Sequence, residues 1–369
     1  MAAKKPNIDR IARAGYCGQA VTVPEGFSPG SDVACMSLFG YDPAKYYTGR
    51  APLEAYAMGI TMGETDVAFR CNLVYLEPRL PQILMGDYSA GHISTEEAKI
   101  IVTDLNEAMG NEDLKFYPGV GYRHILIWKN GKSAMTTTPP HDISGQEIAG
   151  YMPAGDGAEQ VTKLISDSQI FLKTHAVNRD RENAGKAPAN SIWLWGQGKK
   201  PYYPTFYEKH GVRGAVVAAV DLVKGVGAVA GFDTPQIDGA TGYLDTDYEG
   251  KARKALELLE KNDIVYVHVE APDEASHSGN LPEKIKAIEN IDELVVGFLM
   301  DRIGDDVRLL IATDHATPIS TKTHYGCPVP FAIFQKGRTF GGGGTYDETN
   351  GGTIFSGEEL IEFFLKGLN

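Results

Sequence analysis

Paired cysteines are missing from this chain. Cys17, Cys35, Cys71 and Cys327 are scattered, with no Cys-x-x-Cys among them. That excludes a disulfide scaffold and a cysteine metal site. A long apolar run is missing too. The best, Ala215 to Val223, is broken by Asp221 and far too short to span a bilayer. The opening residues, Met1 to Asn7, contain no apolar signal core. These absences predict a reduced, soluble, cytoplasmic protein with no membrane partner. Basic excess is also lacking. Lys and Arg total 35 against 48 Asp and Glu, a net charge of −13, so no nucleic-acid partner is expected. No GxxxxGK[ST] run occurs, which disfavours a P-loop kinase, and no Rossmann glycine fingerprint follows a strand.

What remains is globular. The 369 residues are 43% hydrophobic and 22% charged, enough chain for two domains. Ile264 to Val269 and Val307 to Ala312 read as buried parallel strands, with Ala215 to Val220 and Phe331 to Phe334 as weaker examples. Helical patterns at Lys251 to Glu260 and Pro282 to Met300 lie between them. Ser356 and Glu359 form a capping-box candidate for a last helix. This alternation predicts an α/β layered fold with a mainly parallel sheet. From Asp66 to Asn183 the pattern changes. Ser94 with Glu97 opens a helix to Met109, Lys129-Asn-Gly-Lys132 signals a hairpin, and Ala158 to Leu172 is helical. The division expected is a core of 1–65 and 184–369, with 66–183 as an inserted α+β domain. Glycines at 341–344 and 351–352 read as bracketing a mobile surface loop.

The acids and histidines sit beyond strand ends. One strand runs into Asp273 and His277, another into Asp314 and His315, and His324 precedes the next strand. Ligands of open α/β sheets bind at the carboxyl ends of strands, so adjacent strands would bring these side chains to one rim. Singly, Asp273 could cap a helix and His315 could be a buried imidazole. As a set of two aspartates and three histidines, they suit two divalent ions, manganese or zinc rather than a soft thiolate metal, with cobalt also tolerated.

Pro29-Gly-Ser31 reads as a glycine turn opening a helix, where backbone N–H groups and the helix dipole favour an anion. Beside metal ions Ser31 becomes a nucleophile for a phosphoryl group. Without them it is an N-cap. Arg123, His141, Asn178, Arg181 and Asn190 are candidates for holding a phosphorylated acid, since arginine suits phosphate and carboxylate. Lys251 follows an acidic stretch and is expected to face the same rim.

Together these residues resemble the archaeal-type cofactor-independent phosphoglycerate mutases, within the alkaline phosphatase superfamily. The similarity covers nearly the whole chain. It rests on Pro29-Gly-Ser-Asp-Val-Ala34, Leu38-Phe-Gly-Tyr-Asp-Pro43, Tyr47-Thr-Gly-Arg-Ala-Pro-Leu-Glu-Ala55, Asp66-Val-Ala-Phe-Arg-Cys-Asn72, Gly239-Ala-Thr-Gly242, Asp273-Glu-Ala-Ser-His277 and Thr313-Asp-His-Ala-Thr-Pro318. It implies an alkaline-phosphatase-like core whose inserted domain closes over a small phosphorylated hydroxy acid. It also implies interconversion of 3- and 2-phosphoglycerate in glycolysis and gluconeogenesis, through a phosphoserine at Ser31. One ion would be held by Asp273, His277 and His324, the other by Asp314, His315 and Ser31. Lys251 would offset charge on the transferring phosphoryl.

The family also begins with a strand ending in Asp-Gly, whose aspartate binds the serine-side ion. This sequence opens at Ala2-Ala-Lys-Lys-Pro-Asn-Ile-Asp-Arg10 and has no Asp-Gly before Ser31. Either Met1 is internal to a longer protein, the favoured reading, or this is a truncated and poorly active copy. Weak binding of the serine-side ion and an unfilled place in the sheet are the expected consequences. The alternatives are a homoserine kinase or phosphatase on the same scaffold, and a non-catalytic relative. Nothing in the sequence sets an oligomeric state.

Overall fold

The computed structural model describes residues 3–338, 340, 344–349 and 352–366. The glycines at 341–343 and 351 lie outside them. The chain divides into two units, Met1–Tyr47 with Tyr202–Asn369, and Thr48–Pro201. These boundaries differ from 65/66 and 183/184 for a visible reason. The strand Ser191–Lys199 pairs along Val67–Arg79, from Val67 opposite Lys199 to Val74 opposite Ser191. The helix Arg50–Ala57 buries Ala51 and Ala55 against Ala68, Ile125 and Ile127 of the same sheet. Both elements therefore belong to the second unit.

Among the described residues, the first unit holds two sheets. One runs in the order Arg308–Ala312, Val329–Gln335, Tyr16–Val21, Thr353–Ser356. Val329–Gln335 is antiparallel to both neighbours, and only Tyr16–Val21 with Thr353–Ser356 is parallel. The other sheet is the parallel pair Ile264–Val267 and Gly214–Val217. The mainly parallel sheet expected from sequence is thus corrected to a mixture. No helix lies between Ala312 and Val329, and a short connection without a crossover helix returns the chain antiparallel.

Ile264–Val267 and Arg308–Ala312 are not paired with one another. Among the described residues each pairs on one side only, and most of their side chains are half-buried rather than fully covered. Helices pack around these sheets. Tyr248–Leu259 buries Tyr248, Ala252 and Ala255. Leu281–Asn290 continues through a π-helical stretch, Ile291–Gly297, into Phe298–Met300. Asp292, in that stretch, is buried and accepts from the backbone of Asn7 and Ile8 at the start of the helix Pro6–Ala14. The box at Ser356 and Glu359 forms and opens the helix Gly357–Lys366.

The second unit is an antiparallel sheet of Gln82–Asp87, Val67–Arg79, Ser191–Lys199, Arg123–Trp128 and Leu114–Tyr117. Helices Thr95–Met109 and Ala158–Leu172 bury Ile101, Leu105, Val161 and Ile165 against Phe69, Leu73 and Leu126. The box at Ser94 and Glu97 is present. The Asn-Gly turn does not close the expected hairpin. Arg123–Trp128 pairs back to Leu114–Tyr117, while Met135–Thr136 beyond the turn pairs with Ala154–Gly155. Asn130 bonds through its N–H to Asp66, so the turn is tied to the start of another strand.

Candidate active site

Three segments of the first unit supply the site. The helix Ser31–Leu38 starts after Gly30, which occupies the N-cap position with no side-chain cap. Ser31 is therefore the first helical residue and its hydroxyl is free for other work. Its Oγ donates to Asp314 Oδ2 at 2.8 Å and lies 3.0 Å from His315 Nε2. The helix N–H groups and dipole favour negative charge at that point. Asp32, buried beside it, accepts from the Tyr47 hydroxyl.

The short helix Ala271–His277 places Asp273 and His277 one turn apart on one face, with His277 Nε2 3.1 Å from Asp273 Oδ2. His324 Nε2 comes within 3.6 Å of Asp273 Oδ1 and 3.0 Å of His277 Nε2. His277 Nδ1 faces the Lys322 carbonyl at 2.9 Å, and His324 Nδ1 faces that of Pro29 at 3.2 Å. A carbonyl only accepts, so each Nδ1 carries a hydrogen and each Nε2 turns inward toward Asp273. A hydrogen on His277 Nε2 bonds Asp273; with neither Nε2 protonated, two lone pairs face each other at 3.0 Å, an arrangement that a cation between them would relieve. Burial pushes the Asp273 carboxyl up, but hydrogen bonds from His277 and His324 outweigh it and hold it well below the usual range. The bond to Asp273 raises His277 to about 9. A carboxylate and imidazoles aimed at one point fit a divalent cation. Ligand atoms of Asp273, His315 and His324 in fact lie within 4.8 Å of one another. All five acids and histidines expected at one rim are gathered, together with Ser31.

Lys251 is fully buried on the helix Tyr248–Leu259. Its Nζ reaches the carbonyls of Thr241 at 3.4 Å and His268 at 3.3 Å. Burial lowers its pKa to about 8.

Sequence reasoning missed His268. It follows directly on the strand Ile264–Val267, and its ring groups with Cys35 and Asp314. Its Nδ1 is buried with no hydrogen-bond partner. Its place after an alternating strand, two residues before Glu270, was the available signal. Thr317 was also missed, although it lies in the quoted Thr313 to Pro318 motif.

The five expected substrate contacts lie in the second unit and divide into two groups. Asn178, Arg181 and Asn190 are engaged internally. Asn178 is buried and bridges Leu172 and Ala189 through three bonds. Arg181, 2% exposed, spends its guanidinium on Glu97 and the carbonyls of Ala187 and Ala90. Asn190 clamps the backbone of Leu76. The structure gives these three packing roles within the unit, each of their side-chain nitrogens and oxygens that can bond having a partner there.

Arg123 and His141 belong to a different arrangement. Arg50 and Arg70 both bond Glu54 at 2.9 Å and both lie over the Trp195 ring. His141 packs edgewise on the same ring, with centroids 5.4 Å apart. Arg123 adds a third positive charge near enough to help lower the Glu54 pKa. Two guanidiniums thus share one carboxylate with a third positive charge in range, and the buried Nε of Arg70 has no partner. Burial lowers the Arg70 pKa to about 10 despite Glu54. This cluster has the charge to take an anion. Arg50 and Arg70 stood inside quoted motifs and were not singled out.

Among the described residues, no helix is long and apolar enough to cross a membrane. Residues 12–178 match the model of the 2,3-bisphosphoglycerate-independent phosphoglycerate mutase family. A Geobacter sulfurreducens protein, named a probable 2,3-bisphosphoglycerate-independent phosphoglycerate mutase, is 52% identical over 99% of this chain and 93% of its own. A Methanosarcina barkeri protein of that name is 51% identical over 92% of this chain and 85% of its own. Among solved structures, the cofactor-independent phosphoglycerate mutase of Thermoplasma acidophilum superposes with a TM-score of 0.62 at 26% identity, covering 99% of this chain and 92% of its own. A Pyrococcus horikoshii protein gives a TM-score of 0.80 at 30% identity, covering 99% and 90%.

Proposed function

The chain belongs to the 2,3-bisphosphoglycerate-independent phosphoglycerate mutases, and from that premise we propose that Ser31 carries the phosphoryl group between the two hydroxyls of glycerate. The observation that supports this most is the placement of the Ser31 hydroxyl, at a helix N-terminus and within 3.0 Å of both Asp314 and His315.

Ser31 has one proton and two acceptors beside it. As Oγ approaches phosphorus, that proton passes toward Asp314 Oδ2, to which it is already bonded. The new Oγ–P bond replaces the bond from phosphorus to the C3 oxygen of 3-phosphoglycerate, and that oxygen leaves with a proton from solvent, matched by the one the C2 hydroxyl gives back when it attacks in turn. Glycerate then offers its C2 hydroxyl to the phosphoserine. Oγ leaves, recovers its proton, and 2-phosphoglycerate results. Backbone N–H groups at the start of Ser31–Leu38 face the charge that builds on the transferring oxygens. Lys251, buried with its pKa lowered to about 8, would offset charge on the transferring phosphoryl group.

Two divalent ions, manganese by preference, would be held by Asp273, His277 and His324 and by Asp314, His315 and Ser31. When bound they supply charge stabilisation for the phosphoryl group and acidify the serine hydroxyl. The arginine cluster of Thr48–Pro201 has the charge to hold a phosphorylated acid through Arg50, Arg70 and Arg123.

Phosphorus NMR of 3-phosphoglycerate with the protein and manganese, and no bisphosphoglycerate, tests the reading. Appearance of 2-phosphoglycerate is expected. Inorganic phosphate would make the protein a phosphatase. No change, with homoserine phosphorylated from ATP instead, would make it a kinase.

A further inference from the structure

Thr317 stands between the two halves of the site. It is buried, 6% exposed. Its Oγ bonds Asp273 Oδ1 and lies 3.3 Å from His315 Nδ1. Its backbone is held on both sides. Lys284 donates to its carbonyl at 2.8 Å, and the preceding Ala316 accepts from the Tyr325 N–H at 2.8 Å.

A threonine hydroxyl has one hydrogen to give and lone pairs to receive with. Asp273, an ionised carboxylate, only accepts. The hydroxyl hydrogen therefore points at Asp273. The contact with His315 then runs the other way, with Nδ1–H donating to Oγ. With Nδ1–H so engaged, the neutral ring would keep its Nε2 lone pair for the serine side, where Ser31 Oγ lies at 3.0 Å and Asp314 Oδ2 at 3.3 Å. His277 and His324 have their Nδ1–H taken by carbonyls. In His315 the same task falls to a side chain that is itself polarised by a residue of the other half-site.

We propose that Thr317 is the positioning residue that selects the His315 tautomer and ties the geometry of the serine-side half-site to Asp273. The proposal rests on the reading that Asp273 and His315 serve different ions. Outer-shell partners of this kind orient a ligand ring and raise its basicity.

The test compares Thr317→Val, which keeps the shape and removes the hydroxyl, with Thr317→Ser, which keeps the hydroxyl. In metal-free protein labelled with nitrogen-15 at histidine, His315 is expected to report hydrogen on Nδ1. Thr317→Val should show a tautomer mixture or hydrogen on Nε2, and Thr317→Ser should restore the wild-type signal. In manganese titrations, Thr317→Val should weaken the serine-side ion by about 10–100-fold, and Thr317→Ser by no more than a few-fold. Circular dichroism and Tm confirm that each variant is folded. A wild-type His315 with hydrogen on Nε2, or a folded Thr317→Val variant with unchanged tautomer and manganese affinity, overturns the proposal. Because the tautomer is read without substrate, this result stands apart from whether the protein is a mutase.

Discussion

His277 and His324 point their Nε2 atoms at each other from 3.0 Å, while Asp273 closes the third side of the same small space. Each ring is oriented by a backbone carbonyl rather than by its neighbour. A proton on His277 Nε2 bonded to Asp273, or a cation in that space, would relieve the facing nitrogens. Chelator-treated protein should lose activity and recover it with manganese. His277→Ala or His324→Ala should weaken one ion by at least the ~10–100-fold that loss of an outer-shell partner costs. Titration calorimetry that finds both ions bound normally in these variants would remove these histidines from the site.

Arg70 is the buried member of the arginine cluster, with an unpartnered Nε. Arg70→Met should raise KM for phosphoglycerate by about 10–100-fold, the equivalent of one or two charge-assisted hydrogen bonds. Manganese affinity should be unaffected. A change in metal binding with no change in KM would contradict this division of labour.

Asn178 gives the opposite expectation. Its amide joins Leu172 to Ala189 inside the second unit. Asn178→Ala leaves buried backbone groups unpaired and should cost about 1–3 kcal/mol of stability. Denaturant unfolding measures that loss, and KM should be unchanged. A raised KM with unaltered stability would return Asn178 to the substrate pocket.

Lys251 is held in the fold with its pKa lowered from 10.5 to about 8 by burial. The folded state therefore disfavours the charged form. Below pH 8 the lysine is charged in both states and the penalty is full. Between about 8 and 10.5 the folded protein releases the proton first, and the penalty fades as pH rises. Lys251→Met should consequently raise Tm at pH 7, with the gain shrinking toward pH 10.5, while activity falls steeply. A variant that melts earlier than wild type at pH 7 would show that Lys251 contributes net stability.

Much of the site could be read from residue order alone, because strand ends deliver Asp273, His277, Asp314 and His315 to one rim. Ser31 was legible for a similar reason, since glycine before an apolar helix leaves its first turn uncapped. The sheet itself was less legible. A short apolar run such as Phe331 to Phe334 has the same composition whichever way its neighbours run, so the antiparallel return at Val329–Gln335 could not be seen. The Asn-Gly turn misled because the strand after it pairs elsewhere. Substrate contacts were the hardest part. Arg181 and Arg70 are both buried arginines paired to a glutamate, and only three-dimensional bonding shows that one is satisfied and the other keeps a free donor.

The central claim is that Ser31 takes the phosphoryl group. Acid quenching of the protein during turnover of 3-phosphoglycerate with manganese, followed by peptide mass spectrometry, tests it directly. Phosphate on the peptide at Ser31, absent in Ser31→Ala together with a loss of at least about 1,000-fold in kcat, is the predicted result. Conversion that proceeds at the wild-type rate in Ser31→Ala, or phosphate found on a different residue, would contradict the account.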